Sequence, residues 1–263
     1  MATKYNFDLE HIPSRTERPR TSGLTMVMDK GLSIRQAEDF LSMSTDFVDF
    51  VKLGFGTSLI TKNLKEKIKL YQQAGMKVYL GGTLLEAFII RNKLNDYIRC
   101  MEDLGLNCCE VSDGSIVLDH NKKCEIINQL AKNFTVVSEV GSKEEGVIIH
   151  PARWISMMQN ELEAGAFKVI AEARESGTVG IFHKNGSAHT LLINRIVNKV
   201  KIENILWETP QKSQQVYFIK LFGANVNLGN IGYEDVIPLE TLRLGLRGDT
   251  FFTFLPESMK QES

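Results

Sequence analysis

The chain has 263 residues, 43% of them hydrophobic and 24% charged, with a formal net charge of −1. This is the balance of a water-soluble globular protein, and it excludes a whole-chain electrostatic pull toward nucleic acid or an anionic membrane. No apolar run reaches the roughly 20 residues that a membrane span needs, while the length suits a single large barrel domain.

Residues 1–21 read as a polar surface arm. They contain no apolar core of the kind a signal peptide carries, and Arg15, Arg18 and Arg20 alternate with Asp8, Glu10 and Glu17. Strand one is expected at 24–28, before the turn Asp29-Lys30-Gly31. Ser33 can cap a helix reaching about 43, because Ile34, Ala37, Phe40 and Leu41 recur at helical spacing. Strand two follows at about 47–53 and ends on Gly54 and Gly56; a helix at about 64–74 is stopped by Gly75. Strand three, 77–80, runs into Gly81-Gly82-Thr83, and one helix is expected from about 85 to 104, ending at Gly105. Strand four is 107–112, and a helix near 122–132 leads to strand five at 135–139. His150-Pro151 starts a helix that continues to about 164. Strand six is 167–172; a Gly-rich connection, 176–187, precedes a helix around 190–199. Strand seven is 205–208, a helix at 213–222 stops at Gly223, strand eight is 225–228, and a last helix follows Pro238.

Eight βα units without a linker make a single-domain α/β protein, a (β/α)8 TIM barrel over 22–255 with a short tail at 256–263. A doubly wound open sheet is the rival. Its dinucleotide-binding form needs a Gly-rich first turn, which Asp29-Lys30-Gly31 is not. Cys100, Cys108, Cys109 and Cys124 lack metal-site spacing, and the five histidines form no HExxH pair. Reduced thiols and a cytoplasmic location are expected.

The strand ends carry the chemistry. Glu110, Glu139, Glu172 and Glu208 each close an apolar run that should be buried on both faces. A carboxylate there costs desolvation energy and needs a partner or a purpose. Parallel strands bring such ends together at the C-terminal mouth of a barrel. The same mouth is expected to hold Asp29, Lys52, Thr83, Glu86, Ser112, Asp113, Lys143, Arg174, Glu175, Lys212, Asn225 and Asn227. Oxygen ligands suit Mg2+; lysines and an arginine suit an anionic substrate. Phosphate is often held after strands seven and eight, which points to Lys212, Ser213 and the stretch Gly229-Asn230-Ile231-Gly232. A satisfied ion-pair network at the mouth is the plainer alternative for any one of these residues.

Eight segments resemble the phosphosulfolactate synthase family: PRTSGLTMVMDKG (19–31), VKLGFGTS (51–58), YLGGTLLE (79–86), EVSDGS (110–115), SEVGSK (138–143), EARESGTVGIF (172–182), WETPQKSQQ (207–215) and GLRGDT (245–250). The resemblance implies a (β/α)8 barrel and a lyase that adds sulfite to phosphoenolpyruvate with Mg2+, giving (2R)-3-phosphosulfolactate. It associates the reaction with coenzyme M biosynthesis in methanogens and with sulfolactate formation in bacteria. Plant relatives are heat-stress-associated proteins, so a barrel acting through protein partners is the alternative. The family pattern implies Lys143 as the proton donor, with Glu208 beside it as a catalytic candidate. For that chemistry, Mg2+ is assigned to some of Glu110, Glu139 and Glu172, directly or through water, and the substrate's anionic groups to Lys52, Arg174 and Lys212, with Ser213 and Asn227 as further contacts. Thr209 stands where the family has Ala. The polar arm and exposed helices permit a homo-oligomer such as a trimer.

Overall fold

A computed structural model of the chain describes residues 5–141 and 150–260. Eight strands, β1 (Thr25–Asp29), β2 (Phe50–Leu53), β3 (Lys77–Leu80), β4 (Cys108–Val111), β5 (Thr135–Val140), β6 (Lys168–Ala171), β7 (Ile205–Glu208) and β8 (Leu228–Gly232), run parallel in the order β3-β2-β1-β8-β7-β6-β5-β4. β3 and β4 lie against each other and complete the ring without a backbone ladder among the described residues. Around them lie α1 (Ile34–Ser44), α2 (Leu64–Gln73), α3 (Gly82–Ile89), α4 (Leu94–Leu104), α5 (His120–Ala131), α6 (Pro151–Glu163), α7 (Thr190–Val197), α8 (Lys212–Phe222) and α9 (Val236–Arg243). The fold is the expected (β/α)8 barrel.

Local rules account for most boundaries. Ser33 and Gln36 form a reciprocal cap on α1. His150 accepts from the Ala152 amide, and Pro151 occupies the first turn of α6. The single helix expected after strand three is instead two, α3 and α4, because Asn92 turns the chain with φ 57°. Strand two begins later than expected, since Thr45–Phe47 form a 3-10 turn. Strand eight is displaced: 225–227 lead in, and the Gly-Asn-Ile-Gly stretch read as a loop is the strand itself.

Two apolar layers follow from side-chain alternation. Inside the barrel, Leu24, Met26, Phe50, Tyr79, Cys108, Val137, Ile170 and Leu206 form one plug. Outside, residues such as Val51, Cys109, Val136, Val169 and Trp207 meet the helices. Adjacent Cys108 and Cys109 thus face opposite layers. Counting two residues from Phe50, Cys108, Val137, Ile170 and Leu206 gives Lys52, Glu110, Glu139, Glu172 and Glu208. Strand periodicity therefore stacks one ring of charge directly on the apolar plug, toward the C-terminal ends.

The N-terminal arm ties itself to the opposite face. The Arg15 guanidinium donates to Glu240 at 2.8 Å and to the Ala224 carbonyl at 2.9 Å, and Arg20 grips Asp49 at 3.0 Å. Arg18 donates to the carbonyls of Thr45 and Ala74. These contacts join residues far apart in sequence across the base of the barrel. Arg15→Ala leaves the Glu240 carboxylate buried without this cation, and is expected to lower unfolding free energy by about 3 kcal/mol. Urea denaturation measures this; a loss under about 0.5 kcal/mol, the size of an ordinary surface substitution, would show that the arm is not anchored through Arg15.

Candidate active site

Lys52 occupies the floor of the C-terminal mouth. Its ammonium lies 2.8 Å from Glu110 Oε2, 3.4 Å from Glu139 Oε2 and 3.7 Å from Glu208 Oε1. All four side chains are nearly inaccessible. The carboxylates have second partners: Glu110 Oε1 accepts from the Gly82 amide at 2.7 Å, and Glu208 Oε2 from the Ala173 amide at 3.0 Å. Gly82 has to be glycine for this, because a Cβ there would fall 2.8 Å from Glu110 Oε1 and 2.2 Å from Ser112 Oγ. The Gly82–Glu110 bond also crosses the seam where β3 and β4 lack a ladder. Gly141 makes room in the same way for Glu172, whose Oε2 would lie 2.7 Å from a Cβ.

The electrostatics follow from burial. Desolvation works against the Lys52 charge, but Glu110, Glu139 and Glu208 overcome it and hold the ammonium well above its usual range. Desolvation pushes the Glu110 carboxyl up, with Lys52 opposing and Glu139 adding to the rise. The Glu208 carboxyl is pushed up to about 7 by burial, again with Lys52 opposing and Glu139 adding. Among the described residues, this one ammonium faces three carboxylates.

A cavity of about 400 Å³ opens above this cluster, lined by Lys52, Glu110, Glu139, Glu172 and Glu208 at depth, with Gly82, Thr83, Phe55, Arg174 and Asn230 among its other residues. Arg174 is exposed at the rim, on the connection after β6. Gln214 and Gln211, at the start of α8, hold that connection by donating to the carbonyls of Gly177 at 2.7 Å and Ser176 at 2.6 Å. The WETPQKSQQ segment therefore contributes both a carboxylate and the clamps for a rim loop.

Buried ion pairs behind the strands fix their ends. Lys123 on α5 donates to the Glu139 carbonyl at 2.6 Å and pairs with Glu161 on α6 at 2.9 Å; Ser138 completes the set by donating to Glu161 at 2.6 Å. Asp29 serves in the same way rather than lining the cavity: it pairs with Lys67 at 2.8 Å, accepts from Tyr71 at 3.0 Å, and accepts the Gly31 and Leu32 amides. Glu86 accepts from Ser112 and Ser115. Sequence reasoning missed Lys67, Lys123 and Glu161. Their signal was a charge on an apolar helical stripe, as for Lys123 with Ile126, Ile127 and Leu130.

The structure brings together Lys52, Glu110, Glu139, Glu172, Arg174 and Glu208. Lys212 stands apart: its ammonium pairs with Asp249 at 2.6 Å, and neither it nor Ser213 lines this cavity. That pair joins the WETPQKSQQ and GLRGDT segments. Asn227 is a correction. It lies at the other end of the barrel, accepting from the Leu24 amide at 3.1 Å and donating to the carbonyls of Glu203 and Ile205 at 3.0 Å. Asn225 likewise bonds the arm at Ser14 and Thr16. Both were misplaced because strand eight starts three residues later than its apolar pattern implied. Lys143 lies outside the described residues.

A (β/α)8 barrel with buried carboxylates and cations gathered at its C-terminal mouth is an enzyme architecture. The sequence profile of the (2R)-phospho-3-sulfolactate synthase (ComA) family matches residues 13–249. A phosphosulfolactate synthase of Methanothermobacter thermautotrophicus is 40% identical over 90% of this chain and 95% of its own length. One of Bacillus subtilis is 39% identical over 94% and 99%. The chain belongs to the phosphosulfolactate synthase family. Among solved structures, 3-hexulose-6-phosphate synthase from Salmonella typhimurium superposes with a TM-score of 0.56 at 15% identity, covering 85% of this chain and all of that one, a likeness of fold.

The raised Glu208 carboxyl gives a pH signature. The unfolded chain releases this proton near 4.5 and the folded protein near 7, so the group's contribution to stability is full below 4.5 and is lost as pH rises through 7. Glu208→Gln removes that loss. Urea unfolding of both proteins at several pH values should show the variant gaining on the parent between these limits; a constant difference would refute the shift.

Proposed function

We propose that this chain adds sulfite to phosphoenolpyruvate, assisted by Mg2+, to form phosphosulfolactate. The observation that carries the reading is the cavity above Lys52, in a chain about 40% identical to phosphosulfolactate synthases over most of both lengths. Two anions must meet in a space that, among the described residues, is lined by five glutamates against one lysine and one arginine. Excess negative charge would repel them unless a cation joined.

The donor set fits a hard cation. Among the described residues no three metal-ligating side chains converge on a common point; Glu110 serves both Lys52 at 2.8 Å and the Gly82 amide, whereas Glu139 is a more distant partner of Lys52 at 3.4 Å. Glu139 and Glu172 are the carboxylates that would hold Mg2+, through water, in keeping with an ion that retains several of its waters. When bound, the ion supplies Lewis-acid stabilisation of negative charge building on the substrate carboxylate.

The chain's own groups supply the rest. Arg174 at the rim can grip a carboxylate or phosphate bidentately. The sulfur lone pair of sulfite forms a bond to C3 of phosphoenolpyruvate, and the C2–C3 π electrons move to C2 and into its carboxylate. A proton then adds to C2; the phosphoryl group stays on its oxygen. Lys143 is the donor the family pattern implies, and Glu208, its carboxyl pushed up to about 7, carries a proton on the cavity floor near neutrality. The free thiols of Cys100, Cys108, Cys109 and Cys124 suit a cytoplasmic site of action.

Purified protein with Mg2+ should consume phosphoenolpyruvate only when sulfite is present, yielding an acid-stable organic sulfonate without releasing phosphate. Consumption independent of sulfite, or none at all, would overturn the reaction. Lys143→Ala should lower kcat at least about 100-fold, the size of a general-acid contribution, while calorimetry shows phosphoenolpyruvate still binding. Arg174→Ala should do the reverse and raise KM about tenfold or more, as expected for a lost charge-assisted contact; unchanged KM would remove Arg174 from the substrate.

A further inference from the structure

The pairing of β1 with β8 is irregular. Thr25 pairs with Leu228 and Val27 with Ile231, so two steps on β1 span three on β8. β8 thus holds one extra residue, a bulge at Gly229 and Asn230. Leu228 and Ile231 both belong to the outer core against the helices. Strict alternation from Leu228 would send Asn230 outward among those helices. The bulge instead turns it inward, where it lines the cavity. Bulges beside active sites commonly re-aim a side chain in this way.

The backbone at Asn230 is left-handed, with φ 58°. Glycine adopts that conformation without steric cost, and asparagine is the tolerated substitute. A glycine would therefore serve the bulge at least as well, and glycine already fills position 229. There a Cβ would come 2.9 Å from Met26 Cε and 3.1 Å from Leu206 Cδ2, so Gly229 lets the bulged strand sit against the plug. What asparagine adds at 230 is its amide. The residue is 6% exposed, and none of the described residues hydrogen-bonds its side chain. Its polar atoms are not among the fully buried unpartnered ones, so the amide faces the cavity, where it is available to a ligand. Two other non-glycine residues with left-handed backbone, Phe55 and Arg174, line the same cavity. Such backbone strain gathers where a ligand is held.

We infer that Asn230 is a substrate-contact residue, donating its side-chain N–H to an anionic oxygen of the enol-acid substrate rather than to sulfite. The inference rests on the proposed reaction for its choice of ligand. A neutral donor is what an anion needs in a cavity walled by carboxylates: it binds without drawing a carboxylate into a competing ion pair, as Lys52 does.

Asn230→Gly keeps the left-handed backbone and deletes the amide. Asn230→Asp keeps the shape and replaces the donor with a charge. Steady-state kinetics with phosphoenolpyruvate and sulfite varied separately, and calorimetric binding of phosphoenolpyruvate, test both variants against the parent. KM and Kd for phosphoenolpyruvate should rise roughly tenfold or more in Asn230→Gly and further in Asn230→Asp, with KM for sulfite changed less than about twofold. Thermal melting should stay close to that of the parent for Asn230→Gly. Values for phosphoenolpyruvate unchanged in both variants, or an increase confined to sulfite, would overturn the inference while leaving the reaction standing. A parent protein that binds phosphoenolpyruvate without turning it over, with binding lost in the variants, would overturn the reaction and keep the contact. A parent that does neither would overturn both.

Discussion

Lys52 stands buried among Glu110, Glu139 and Glu208, and the mouth of the barrel is organised by that arrangement. Removed from water, each of these charges would be strongly unfavourable alone. Together they hold the Lys52 ammonium, while burial pushes the Glu110 and Glu208 carboxyls up. The result is a buried floor that, among the described residues, carries more carboxylates than cations. Arg174 at the rim and the buried Asn230 line the cavity above it.

This cluster depends on the parts of the barrel that are not visible from the cavity. The apolar plug beneath it excludes water from below, and its Phe50, Cys108, Val137, Ile170 and Leu206 each precede a charged residue by two positions. Outside the ring, Lys123 and Glu161 lock the end of β5, while Lys67 and Tyr71 lock Asp29 at the end of β1. Buried pairs of this kind contribute little net stability but cost much when half-broken. Their effect here is to allow each strand end one position, which is what a multi-residue site requires. The glutamines at the start of α8 extend the same control to the loop that bears Arg174.

Much of this was legible before any coordinates. The four glutamates at the ends of apolar runs marked the mouth, because parallel strands leave no other economical place for them. Lys52, within FVKLGFG, was visible for the same reason. Other readings failed where local pattern and tertiary need diverge. β8 contains two glycines and an asparagine, so its composition reads as a loop; packing against Met26 and Leu206 is what makes Gly229 a strand residue. That slip carried Asn227 to the wrong end of the barrel and read Asn230 as part of a phosphate-binding loop instead of a bulged strand. Asp29 was placed correctly at a strand end, but its carboxylate turned toward α2 instead of the cavity, a choice made by Lys67 and Tyr71.

By itself, the sequence determined the barrel, the family and the residues whose charges meet at the mouth. Each of these follows from period-two alternation, turn chemistry and ordered motifs, which are local properties of the chain. Only the tertiary structure decided how those charges are shared: that Lys52 is held by three glutamates, that Glu208 is pushed toward neutrality, that Lys212 pairs with Asp249 outside the cavity, and that a bulge turns Asn230 inward. Those outcomes depend on distances and burial between strands far apart in the chain. Desolvation and Coulomb energy act through space, so no spacing along the sequence encodes them.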